Sequence, residues 1–166
     1  MKQLSEQEAR QMMTLANTRN VDKVVEQYAD DATFQVPSLD APIRGKASIR
    51  SYLESAYATF PDWTMDVSKV IVSGNDVVVV NSVHGTHTGP FTARDGKAIT
   101  PTYKLFVEEQ LTHVVINEHG KISSFRAYGN PSDMHRLLGF PQSVTTHRET
   151  TSTVTTTSDA HPSQPS

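Results

Sequence analysis

Proton chemistry near neutral pH needs imidazole, carboxyl or phenol groups, and this sequence spaces several of them suggestively. His84 and His87 stand three apart at the end of Val77–Gly89, VVVVNSVHGTHTG. A strand that opens as core and finishes in two imidazoles leads toward a pocket. Residues three apart on a regular strand point to opposite faces, so the two do not form a metal pair, and no acidic third ligand accompanies them. His113 lies inside a second strand. Imidazole titrates near neutrality and can serve as general base or acid; the plainer reading is a hydrogen-bonded core histidine. His87 either lines the pocket mouth or belongs to a bulge that holds the turn. Glu108 and Glu109 are consecutive, so a regular strand turns one of them inward, where it can supply a carboxylate; a bulge or a dimer contact explains the pair equally well. Tyr57, Trp63, Tyr103 and Tyr128 can shape a pocket wall and offer a hydroxyl to a carbonyl or phenol, or simply pack with their polar tips satisfied. Asp40 either reaches the pocket rim or is a solvated turn former. His119, His135, His147 and His161 read as solvated.

The elements that must position these groups follow from pattern. Ser5 and Glu8 have the form of a capping box, which opens a helix over Glu6–Asn17. A shorter helix spans Val21–Tyr28, with Val21, Val24, Val25 and Tyr28 at helical spacing. Asp30-Asp31 makes a turn, Ala32–Val36 a short strand, and Pro37–Gly45 a loop. Lys46–Thr59 is the third helix, with Ile49, Tyr52, Leu53, Ala56, Tyr57 and Phe60 as its stripe, and Pro61 ends it. From Trp63 the period changes to two. Trp63–Val72 pairs through the turn Ser73–Asp76 with Val77–Thr88, whose four consecutive valines suit a pleated surface. Gly89–Pro101 is a loop. Tyr103–Asn117 is a long strand, with a break expected near Glu108–Gln110, and Glu118–Lys121 turns it into Ile122–Tyr128. Ser132–Leu138 forms a closing helical turn, with Gly139 as its stop. Helices first and antiparallel strands after make an α+β arrangement, with helices on one face of a curved sheet.

The whole chain sets the outer bounds. Its 166 residues carry a net charge of −3 with no basic cluster, which argues against a nucleic-acid footprint. There is no cysteine, hence no disulfide, thiol nucleophile or thiolate metal site. No apolar run reaches the ~18–20 residues of a membrane span, and MKQLSEQEARQMM does not read as a signal peptide. These features predict a cytoplasmic protein that engages neither nucleic acid nor membrane. Residues 141–166 are Thr, Ser and Pro with little to bury, and read as a disordered tail. One domain is expected over 1–140.

A series of motifs resembles a known family. YADDATF (Tyr28–Phe34), Gly45-Lys46 opening a helix, FPDW (Phe60–Trp63), HGTHTGPF (His84–Phe91), HGKISSF (His119–Phe125) and LLG (Leu137–Gly139) are similar, in order and spacing, to the SnoaL-like branch of the NTF2-like superfamily. The resemblance implies a cone-shaped α+β barrel, a curved antiparallel sheet wrapped around N-terminal helices with a deep apolar pocket, and a homodimer. It implies cofactor-free chemistry: polyketide cyclisation, isomerisation, dehydration or epoxide hydrolysis, or binding alone.

The same resemblance locates the expected acids, and this chain lacks them. The carboxylate of cyclases and epoxide hydrolases falls on Ala127, and a second acid on Asn130. The ketosteroid-isomerase base falls on Val36, and its oxyanion donors near Met12 and Thr112. The expectation is therefore a proton-transfer cyclase or isomerase of secondary metabolism, acting on a polyketide- or terpenoid-like substrate. His113 is its base or acid, His87 and Tyr103 polarise an oxygen, and Tyr57, Trp63, Tyr128 and Asn130 contact the substrate. The competing expectation is a non-catalytic protein that holds a hydrophobic small molecule or mainly dimerises.

Overall fold

A computed structural model describes residues 3–92 and 96–130. The expected closing turn at Ser132–Leu138 and the tail lie outside the described residues.

Three helices precede most of the sheet. Helix α1 spans Glu6–Thr14, and its capping box is formed in both directions between Ser5 and Glu8. A tighter turn over Leu15–Thr18 continues it and ends at Arg19 in the left-handed region. Helix α2 is Val21–Glu26, capped by the Asn20 side chain, and α3 is Lys46–Thr59. The strands are β1 (Tyr28–Gln35), β2 (Ile43–Arg44), β3 (Thr64–Ser73), β4 (Asp76–Thr86), β5 (Phe91–Thr92), β6 (Ala98–Ile99), β7 (Leu105–Ile116) and β8 (Ile122–Tyr128). The six-stranded sheet has the order β2-β1-β8-β7-β4-β3, and β5 and β6 form a separate ribbon.

The expected α+β architecture is present, with differences of detail. Strand β1 begins at Tyr28, and Asp30 and Asp31 are exposed within it rather than forming a turn. Buried Tyr28 and Ala29 on one side and Ala32 and Phe34 on the other hold both flanks in the sheet. Strands β1 and β8 run parallel; no hairpin joins them, so no local turn dictates their direction. Strand β7 is not broken near Glu108, because every residue from Leu105 to Val115 keeps register with β4.

That unbroken ladder fixes which side chains face inward. On β4 the buried positions are Val77, Val79, Asn81, Val83 and Gly85, and on β7 they include Phe106, Glu108, Thr112, Val114 and Ile116. The helices cover this face. Ala9 and Met13 of α1, Val24 and Val25 of α2, and Ile49 and Leu53 of α3 are buried against it. Each of these Val, Ile, Leu and Met side chains is worth roughly 1.5–3 kcal/mol when taken from water.

Candidate active site

A cavity opens between the helices and the inward face of the sheet. It holds about 110 Å³ into which the centre of a water molecule fits, several times the room one water needs. Its wall is largely aromatic and aliphatic: Phe34, Phe60, Phe106, Phe125 and Trp63 with Met12, Met13 and Met65. The polar groups in the wall are few: Gln27, Tyr28, Ser38, Tyr52, Tyr57, Glu108 and Gln110.

Local structure explains how each reaches the wall. Tyr52 and Tyr57 stand on the buried stripe of α3, and Tyr57 donates its hydroxyl proton to the Ala16 carbonyl at 3.1 Å. Trp63 follows the end of α3. Its amide donates to the Phe60 carbonyl, and its ring meets Tyr57 edge-on at 5.8 Å. Asp62 pins the segment to β4 by accepting from the Thr86 amide and hydroxyl at 2.7 and 2.8 Å. Glu108 and Gln110 are alternate residues of β7 and so share a face.

Glu108 is the notable group. It is 2 % exposed and stands in the cavity wall. The Gln110 amide donates to its Oε1 at 3.2 Å. Gly129 leaves room for it: a Cβ there would lie 2.7 Å from the same oxygen. Burial disfavours a carboxylate and a donated hydrogen bond favours it; both influences act on this group. Nearby, the Tyr52 hydroxyl lies 3.4 Å from Ser38 Oγ. Burial raises the Tyr52 pKa, the Ser38 contact lowers it, and the Glu108 charge raises it further. Burial pushes Tyr57 up to about 12. Both phenols thus remain protonated at neutral pH, with the Tyr57 proton directed at the Ala16 carbonyl.

The histidines lie elsewhere. His113 is on the opposite face of β7, half-exposed, with Nε2 2.7 Å from Asp76 Oδ1 on β4. His87 is fully buried but is not in the cavity wall. Its ring packs 5.9 Å from that of Phe60, and its Nδ1 accepts from the Thr102 amide at 3.2 Å. Burial lowers its pKa. It holds the chain after β4 against the loop before β7, with further backbone bonds to Lys104 and Tyr103. Tyr103 takes a left-handed backbone (φ 56°) and is 72 % exposed. His84 faces the other way from His87 and lies 3.2 Å from Asp66. Tyr128 and Asn130 are exposed, and Asp40 is also outside the wall.

Of the residues expected at the site, Tyr57 and Trp63 stand in the wall, whereas His113, His87, Tyr103, Tyr128 and Asn130 do not. For His113 the physical reason is register. His113 falls on an odd position of β7, and the odd positions face outward. Val36 and Met12, where the resemblance expects a base and an oxyanion donor, line the cavity with apolar side chains, and Ala127 is buried without a carboxyl group. Tyr52 and Gln110 were not singled out from sequence as site residues. The stripe of α3 and the alternation with Glu108 were the signals that point to them. Among the described residues, no group of three or more His, Asp or Glu gathers in a way that could hold a metal ion.

Comparison with known proteins agrees with this architecture. Residues 9–125 match the model of the SnoaL-like domain, and the chain belongs to that family. Its fold is similar to that of IdmH, a candidate polyketide cyclase from Streptomyces antibioticus (22% identity, 81% of this chain and 99% of that one, TM-score 0.64). It is also similar to a candidate SnoaL-like polyketide cyclase from Jannaschia sp. CCS1 (16% identity, 86% and 98%, TM-score 0.68). A protein of ketosteroid isomerase-like fold from Catenulispora acidiphila, in complex with trimethylamine, matches at 17% identity (82% and 96%, TM-score 0.66). No curated protein matches the chain. Among the described residues no helix is long and apolar enough to cross a membrane.

Proposed function

We propose that this protein is a cofactor-free acid–base catalyst that cyclises or isomerises an apolar, polyketide- or terpenoid-like substrate, with Glu108 exchanging the proton. The observation that carries the reading is a buried carboxyl group in the wall of a mainly aromatic cavity, with a protonated phenol, Tyr52, in the same wall. Glu108 takes a proton from a carbon next to a carbonyl. The C–H electrons move into the enolate, and its oxygen accepts a hydrogen bond from Tyr52. In a cyclisation the enolate carbon then attacks a second carbonyl, and the new alkoxide recovers the proton from Glu108. The aromatic wall orients flat substrates and keeps water from the enolate. A positioned acid–base group supplies roughly 10²–10⁴-fold in rate.

Glu108→Gln keeps the shape and removes the basicity. On a panel of aromatic polyketide-like diketones, kcat is expected to fall about 100-fold or more, with KM little changed. Unchanged turnover in that variant would remove Glu108 from the mechanism. A second reading is a carrier that binds such molecules without turning them over. It is favoured by Ala127, which leaves the family's acid position without a carboxyl group. Tight binding across the panel with no turnover by the unmodified protein would select it.

We also propose that two copies pair through the outer face of the sheet. Val80, Leu111 and Tyr128 are neighbours in one row across β4, β7 and β8, and Leu105 and Val107 extend the exposed apolar surface. Exposed Glu109 and Arg126 flank Leu111 and Tyr128, so the same face carries charges of both signs beside its apolar row.

A further inference from the structure

Three hydrogen bonds on the inward face of the sheet join four side chains, and all run one way. The Thr112 hydroxyl donates to Asn81 Oδ1 at 2.8 Å, the Asn81 amide donates to Gln110 Oε1 at 3.2 Å, and the Gln110 amide donates to Glu108 Oε1 at 3.2 Å. Asn81 and Thr112 are 1 % and 0 % exposed, and neither is in the cavity wall. Asn81 stands directly opposite Gln110 in the ladder. A buried amide and a buried hydroxyl are costly unless hydrogen-bonded, and here each bond serves the next. A carboxylate only accepts, so Gln110 turns its N–H toward Glu108 and its carbonyl toward Asn81. That carbonyl needs a donor, which the Asn81 amide supplies. The Asn81 carbonyl in turn takes the Thr112 proton.

We propose that Asn81 and Thr112 are positioning residues for Glu108: they hold the Gln110 amide with its N–H toward Glu108 and thereby favour the carboxylate form. The proposal rests on the reading of Glu108 as the proton-exchanging group. Tyr52 of α3 is a titratable side chain that feels the Glu108 charge. The end of β8 and the loop after β1 present Gly129 and Pro37, which carry no charge. Without the anchor the Gln110 amide rotates, and the carboxylate loses a fixed donor.

The test is a titration of the whole chain, labelled with ¹³C at the glutamate carboxyl carbons, with the Glu108 signal assigned by its loss in Glu108→Gln. Asn81→Leu combined with Thr112→Val removes both upper partners together, so neither is left buried and unpaired. The Glu108 midpoint is expected to rise by about one pH unit, as loss of a hydrogen bond to a charged group implies. Gln110→Leu should raise it about as far, and the three changes together no further. Thr112→Ser keeps the hydroxyl and should keep the original midpoint. If the double variant fails to fold, the isosteric Thr112→Val alone should raise the midpoint and Thr112→Ser should not. An unchanged midpoint in a folded Asn81→Leu/Thr112→Val or Thr112→Val chain would overturn the proposal. This readout does not involve turnover, so it fails separately from the activity of Glu108→Gln.

Discussion

A carboxyl group in an apolar wall is governed by the few atoms that touch it, and at Glu108 one of those neighbours is a hydrogen atom where other residues have a methyl. In Gly129→Ala the new Cβ would lie 2.7 Å from Glu108 Oε1 and 3.1 Å from the Glu109 carbonyl and Pro37 Cγ. The far end of a glutamate swings more readily than backbone, so the fold should survive and the carboxyl group should move. The expected outcome is a melting temperature within a few degrees of the original and a fall of about 10-fold or more in kcat, since small misplacements of reacting groups are costly. Equal kcat in the two proteins would mean that the carboxyl position is not critical. Glu108 was partly legible in the sequence, because one of two consecutive glutamates on a strand must face in. Which one was not legible. Leu105, Val107 and Leu111 are apolar on the outer face just as Phe106 and Val114 are on the inner one, so composition does not mark the sides of β7 and does not reveal that His113 faces outward.

Elements are held by what lies at their ends. His87 fastens the segment after β4 to Thr102 and packs on Phe60 at the end of α3. At Gly89 a Cβ would fall 1.6 Å from the Ala58 carbonyl oxygen, so this stretch lies directly on the helix backbone. The neutral imidazole belongs to this arrangement: burial lowers the His87 pKa below its ordinary 6.5, and Nδ1 must stay unprotonated to accept from Thr102. The unfolded chain therefore takes up a proton first. His87's contribution is complete above about pH 6.5 and is lost as the pH falls through the unfolded and then the lower folded value. Calorimetry from pH 8 to pH 5 should show the unmodified chain losing more melting temperature than His87→Gln, which should be less stable at pH 8 but flatter with pH. Parallel slopes would assign the acid sensitivity to other groups. Helix α3 was legible to the residue, since its apolar stripe and Pro61 bound it. The parallel pairing of β1 with β8 and the short strands β2, β5 and β6 were not, because contacts distant in sequence create them.

The whole molecule has two apolar faces on one sheet, and only the inner one is closed by its own helices among the described residues. If a second copy covers the other, Leu111→Lys should place a charge at the middle of the contact. Sedimentation velocity at micromolar concentration should then show a dimer for the unmodified chain and a monomer for the variant, with the cavity's chemistry retained; a monomer in both would refute the pairing. The fold class was legible at this scale because the period switches from helical to alternating at Trp63. The same residue has an optical consequence. It is the one tryptophan in the chain, and it stands in the cavity wall with Tyr57 beside it. Indole emission from this protein therefore originates in the wall of the cavity where we propose that the ligand binds. Occupancy of the cavity can be followed by the colour and intensity of that emission, without a label.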